Sequence, residues 1–211
     1  MKRIWSYAGV AASIALVVVG IAAIVAAVSG RSEVRSDIKR EAIVGTPDMT
    51  PKAIAAEAKQ AGLTNVSLPT CSVANDPITT GSQAKCFASY MRIHTLEATG
   101  GKTYAQMPRY ATADGKGTND AKAALSKNGQ PVDNPARNIW INETALTTAL
   151  NTSFFAERVS TFSLAMGIAL LLSGIGFLVL TLRLLMPATR PPQEQAKTEA
   201  ATAPAVPAAS H

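Results

Sequence analysis

Two long apolar stretches enclose a polar middle in this chain. Between Arg3 and Arg31 lie 27 residues without a charge, and between Arg158 and Arg183 lie another 24. About 20 apolar residues in a helix cross the hydrocarbon core of a bilayer, so each stretch is long enough to span. The pattern divides the 211 residues into a short N-terminus (1–4), a transmembrane helix (5–30), a central domain (31–158), a second transmembrane helix (159–183) and an Ala/Pro-rich tail (184–211) that is expected to be disordered and cytoplasmic. The fold class expected is mainly α, with two transmembrane helices flanking a small, mostly helical extracytoplasmic domain that has irregular loops and one disulfide.

The first stretch passes Trp5 and Tyr7, residues that favour the headgroup boundary, and then runs from Ala8 to Val28 through Ala, Val and Ile. A secretory signal peptide is the competing reading, with small residues near Ala27-Val28-Ser29 as a cleavage site. The apolar run is longer than an h-region of roughly 7–15 residues, which favours a retained anchor. In the second stretch Ala169 and Ser173, four apart, would let another helix approach closely, but such pairs recur by chance and lipid-facing packing is the favoured reading.

Within the middle, Thr50-Pro51 caps and opens a helix that Gly62 ends. Its apolar face is weak: Ala53, Ile54, Ala58 and Ala61. Asn65 to Gly81 reads as irregular. A second helix is expected from Gln83 to Ala98, with Cys86, Tyr90, Ile93 and Glu97 on one side and Phe87, Met91 and His94 beside them, stopped by Gly100-Gly101. A helical turn follows at Thr103 to Met107, then a flexible loop over Thr112 to Arg137 around a brief helix at Asp120 to Ser126. From about Ile141 the spacing of Leu146, Leu150 and Phe154 predicts a helix that continues into the second span without a break.

Charge refines the topology. Lys2 and Arg3 precede the first span and Arg183, Arg190 and Lys197 follow the second, which by the positive-inside rule places both termini in the cytoplasm. Arg31, Arg35, Lys39 and Arg40 crowd the opposite side, but a loop of 128 residues translocates largely regardless of charge. Cys71 and Cys86 are the only cysteines, and in an exported segment they read most simply as one disulfide, with free buried thiols as the alternative and a zinc site disfavoured because His94 is the only histidine near them. Residues 31–158 carry 15 Lys/Arg against 12 Asp/Glu, mixed in sign, so nucleic acid is not an expected partner despite the net charge of +6. The partners expected are the lipid bilayer and a membrane or envelope protein.

The run from Tyr90 through His94-Thr-Leu-Glu97-Ala-Thr-Gly-Gly-Lys102-Thr-Tyr104 to Met107, with Ala136 to Trp140 and Ala145 to Phe154, resembles a group of actinobacterial membrane proteins with two transmembrane helices. The likeness covers most of residues 5–182. It brings the name of an aromatic ring-opening dioxygenase, after the small subunit of a protocatechuate dioxygenase. Extradiol enzymes of that kind hold Fe(II) with two histidines and one carboxylate. Here the middle domain has His94 alone, and His211, the last residue, falls across the membrane in the expected topology. No cofactor or metal is therefore expected, nor catalytic residues. The weak candidates are His94 with Glu97, three apart on a helix, and Lys102 with Tyr104 after Gly-Gly, against the blander readings of a surface pair and a helix stop. The expectation is a non-catalytic accessory or interaction subunit in a bacterial envelope, with a membrane-tethered enzyme or enzyme accessory as the alternative.

Overall fold

A computed structural model of the chain describes residues 2–185, with side chains from 7 to 184. The ring of Trp5, the tail beyond Leu185 with Arg190 and Lys197, and His211 lie outside the described residues. Four α-helices account for most of the rest: α1 (Lys2–Arg40), α2 (Pro51–Gln60), α3 (Gly81–Ala98) and α4 (Pro135–Leu185). A 3₁₀ turn lies at Tyr104–Gln106, and two short strands, β1 (Ser126–Lys127) and β2 (Gln130–Pro131), pair antiparallel.

α1 and α4 are long and apolar enough to span a membrane, and they pack side by side in opposite directions. Their seam is inside out relative to a soluble core. Small or polar residues face inward at seven-residue intervals: Ser13, Gly20 and Ala27 on α1, Gly167 and Gly174 on α4. Val18, Val25, Phe162, Leu172 and Phe177 point outward and are more than half exposed. In water such a surface would be an aggregation site; in lipid it is the favourable arrangement, because lipid tails solvate large aliphatic groups and small residues let backbones meet. A Cβ on Gly20 would lie 2.7 Å from the Leu171 nitrogen, and one on Gly167 would lie 2.9 Å from the Gly20 oxygen. Ala169 and Ser173 are exposed and face away from the seam, in keeping with the lipid-facing reading of that pair. The two glycines seven apart keep one face toward the partner, whereas Ala169 and Ser173 fall on the other side of α4. Ser13, fully buried, donates to the Gly9 carbonyl at 2.8 Å and so leaves its hydroxyl satisfied.

Both helices outlast their apolar parts. α1 runs nine residues past Arg31, burying Ile38, until Ala42 turns the chain at φ 49°. α4 begins at Pro135, six residues before Ile141, because Asn134 caps it: its Oδ1 accepts from Ala136 N at 3.1 Å, and Pro at the first position needs no N–H partner. α2 is capped as its sequence predicts, Thr50 accepting from Ala53 N at 3.2 Å, and it buries Ile54 and Ala58. Thr80 caps α3, accepting from Gln83 N at 3.3 Å while the Gln83 amide oxygen accepts from Thr79 N at 3.0 Å. The buried face of α3 includes Ala84, Ala88, Tyr90, Ile93 and Leu96; Glu97 is exposed, since three residues past Ile93 the helix turns Leu96 inward instead.

The chain between α2 and α3 is irregular but fixed. Cys71 and Cys86 form a disulfide with Cα atoms 6.1 Å apart, and Tyr90 donates its hydroxyl to the Cys71 carbonyl at 2.6 Å. Burial pushes the Tyr90 hydroxyl above its ordinary 10, which keeps it a donor. Closing a loop of this length contributes roughly 3 kcal/mol on the chain-entropy account. Val44 pairs with Pro77, and Gly45 lies so close to Val73 that any Cβ would collide with the Val73 carbonyl.

No helix forms over Asp120 to Ser126. Asn128-Gly129, both at positive φ (53° and 75°), make a two-residue turn that pairs Lys127 with Gln130. That dipeptide is the strongest short hairpin signal, and it outweighs the weak helix preference of Ala121-Lys-Ala-Ala. The rest of the expected flexible loop is also tied by backbone bonds, Ala111 N to Val132 O at 2.9 Å and Leu125 N to Ala111 O at 2.8 Å. Trp140, 3% exposed, pins α4 to the end of α3 by donating to the Lys102 carbonyl at 2.8 Å.

A bulky side chain at the seam should separate the helices, whereas the same change opposite it should not. Gly20→Ile and Gly167→Ile are expected to lower the melting temperature of the detergent-purified protein by more than about 5 °C, with Ser173→Ile near wild type. Equal effects at all three sites would refute the seam.

Candidate functional site

A buried charged arrangement lies where the two long helices leave their apolar parts. Glu157, two residues before the second apolar stretch, has a side chain 9% exposed and faces α1. Its Oε1 accepts from Arg35 Nε at 2.6 Å and from Arg31 Nε at 3.3 Å. Its Oε2 accepts from the Gly81 backbone N–H at 2.8 Å. One carboxylate thus joins α1, α4 and the first residue of α3. Gly81 permits the approach: a Cβ there would lie 2.7 Å from the Phe154 Cα and 2.9 Å from Glu157 Oε2. The free N–H groups of a helix N-terminus favour an anion, which adds to the ionic term.

Burial by itself raises the pKa of Glu157. The hydrogen bonds from Arg35 and from Gly81, with the charges of Arg35 and Arg31, outweigh it and hold the carboxyl below its ordinary value of 4.5. Sequence reading missed this residue. Glu157-Arg158 marks the end of the polar middle, and nothing local shows that Arg31 and Arg35, more than 120 positions earlier, stand opposite.

The weak candidates of the sequence take separate places. His94 stands among carboxylates from three elements: Asp48 Oδ2 is 3.2 Å from Nε2, and Glu57 Oε2 is 3.6 Å from Nδ1. Glu97 is the most distant, at 4.0 Å from Nδ1. Asp48, Glu57 and His94 each bring one ligand atom within 4.8 Å of the others, a set that a divalent cation accepts in principle. The carboxylates flank opposite nitrogens of the ring, and the group brings α2 and the loop before it against α3. Lys102 acts through its backbone, its carbonyl accepting from Trp140 and from the Thr99 hydroxyl (2.7 Å). Tyr104 lies under the Arg137 guanidinium, 3.9 Å from the ring centroid.

The iron site of a ring-opening dioxygenase does not fit these residues. It needs two histidines beside one carboxylate, and among the described residues His94 is the only histidine. No protein family, curated relative or solved structure matches the chain.

Glu157→Gln removes the charge that Arg31 and Arg35 share. A fully buried pair broken in this way costs 3–5 kcal/mol, but both arginines are more than a third exposed and screened, so about 1–2 kcal/mol is expected. The lowered carboxyl pKa sets the sign with pH: the stabilisation is complete above the unfolded value of about 4.5 and is lost as pH falls through the lower folded value. Thermal melts from pH 7 to pH 3 should show wild type converging on Glu157→Gln at the acid end. His94→Ala, at a half-exposed cluster, should cost under about 1 kcal/mol in the same melts.

Proposed function

We propose that this chain is an integral membrane protein of a bacterial cell envelope, with both termini cytoplasmic, the domain outside, and a non-catalytic role as an accessory or interaction subunit of a membrane complex. The observation that carries this reading is the Glu157 clamp. It locks the inter-helix domain to both long helices at the point where their apolar parts end, so the domain is held at a fixed height and orientation. A docking module held in this way presents a pre-ordered surface and avoids the ordering cost of binding. The Cys71–Cys86 disulfide supports an oxidising compartment for the domain. The sequence run from His94 to Tyr104 supports the bacterial assignment by resemblance alone.

Orientation is tested by a membrane-impermeant maleimide on intact cells. No labelling before reduction and labelling of exposed Cys71 after it is the expected result. Labelling only after lysis would invert the topology. Recovery of the protein alone, reproducibly, from mild detergent at native expression would count against the subunit role. Oxygen consumption with catechols that is lost in His94→Ala would replace it with an enzymatic one.

A further inference from the structure

We propose that the basic cleft beside the Glu157 clamp binds the phosphate of an anionic phospholipid headgroup in the leaflet next to the domain. The proposal rests on the reading that α1 and α4 cross the bilayer. The cleft, about 450 Å³, lies between α1 and α4 and is walled by Arg31, Arg35 and Lys39, with the hydroxyls of Ser36 and Ser160 beside them. Its volume is within the roughly 300–1,000 Å³ of ordinary small-molecule sites.

Position along the helices decides the ligand class. The floor is apolar, formed by Val28 and Leu164, which belong to the two membrane stretches. Arg31 is the first charge after 27 uncharged residues. The cleft therefore opens at the depth of the headgroups, with room for acyl chains below and phosphate at the wall. Arg31, Arg35 and Lys39 stand four apart and share a face of α1, extending about 12 Å along its axis. Glu33, two residues from both arginines, points to a different side. Asp37 is engaged by Arg40 at 2.7 Å.

The charges do not cancel. Glu157 neutralises one of the three cations that line the cleft, Arg31, Arg35 and Lys39, and the other two positive charges stay uncompensated. Arg31 reaches Glu157 through Nε at 3.3 Å, and Lys39 makes no salt bridge among the described residues. A second cavity that shares Arg31, Arg35 and Thr161 adds Arg158 to the same rim. Guanidinium and ammonium groups with donors to spare, set over an apolar floor, match a lipid phosphate: forked hydrogen bonds from Arg, a point charge from Lys. A soluble anion would gain nothing from the floor.

The test uses the full chain in nanodiscs that mix phosphatidylglycerol with phosphatidylcholine in equal amounts, read by native mass spectrometry of lipid retained on release. Wild type should keep phosphatidylglycerol with roughly tenfold preference, and Arg31→Gln/Lys39→Gln should bring the ratio near one. Melting of the variant in pure phosphatidylcholine discs at the wild-type temperature shows that the fold survives. If it melts lower, Lys39→Gln alone, which breaks no ion pair, should still cut the preference severalfold. Equal retention by wild type, or a preference unchanged in the variants, would overturn the site. Displacement of the lipid by millimolar inorganic phosphate would reassign it to a free anion. A protein that fails to enter nanodiscs, and that alkaline carbonate strips from membranes, would overturn the membrane reading instead.

Discussion

Backbone contact between α1 and α4 at Gly20, Gly167 and Gly174 sets where everything else in this protein stands. In lipid there is no hydrophobic gain in burying one aliphatic surface against another, so two helices associate through close packing of small residues and through polar contacts. The seven-residue interval of those small positions keeps one face of each helix on its partner along the whole length. It also fixes the register, and the register carries Arg31 and Arg35 opposite Glu157.

The clamp then passes that order to the domain. Glu157 bonds the first N–H of α3, and α3 carries the disulfide, the Tyr90 bond to the Cys71 carbonyl and the buried Ile93 and Leu96. At the far end Trp140 returns the tip of α3 to α4. The domain is thus tied to the long helices at two heights, by an ion pair near the apolar boundary and by an indole hydrogen bond away from it. Buried charges of this sort contribute less net stability than their short distances suggest, because desolvation offsets the attraction. What they supply is a single geometry: a carboxylate with three donors has few other places to go. Arg31 and Arg35, in the basic cluster just past the first apolar stretch, thus have a structural use at Glu157, and Lys39 makes no ion pair among the described residues.

The existence of the apolar helices, the Thr50 cap and the Gly62 and Gly100-Gly101 stops were legible from local signals, because each depends on residues within a few positions; the pairing of two lone cysteines followed from reading their segment as exported. The Asn128-Gly129 turn was equally local and was hidden by the alanines just before it, which favour helix more weakly than that dipeptide favours a hairpin. Asn134-Pro135 was a readable helix start of the same kind. His94 illustrates the opposite case. Its neighbour at three residues, Glu97, is its most distant carboxylate, while Asp48 and Glu57 arrive from the loop and helix before the disulfide.

The sequence by itself determined the two membrane-length helices, the mainly helical content and the single cross-link, since hydropathy, caps and breakers act through short-range physics. Only the tertiary structure decided which small residues form the seam, that Glu157 is a buried node and that Arg31, Arg35 and Lys39 wall one cleft. Those facts depend on the relative rotation and register of two helices separated by some 90 residues of chain. Uniformly apolar helices carry little pattern to fix either, and close backbone packing settles both.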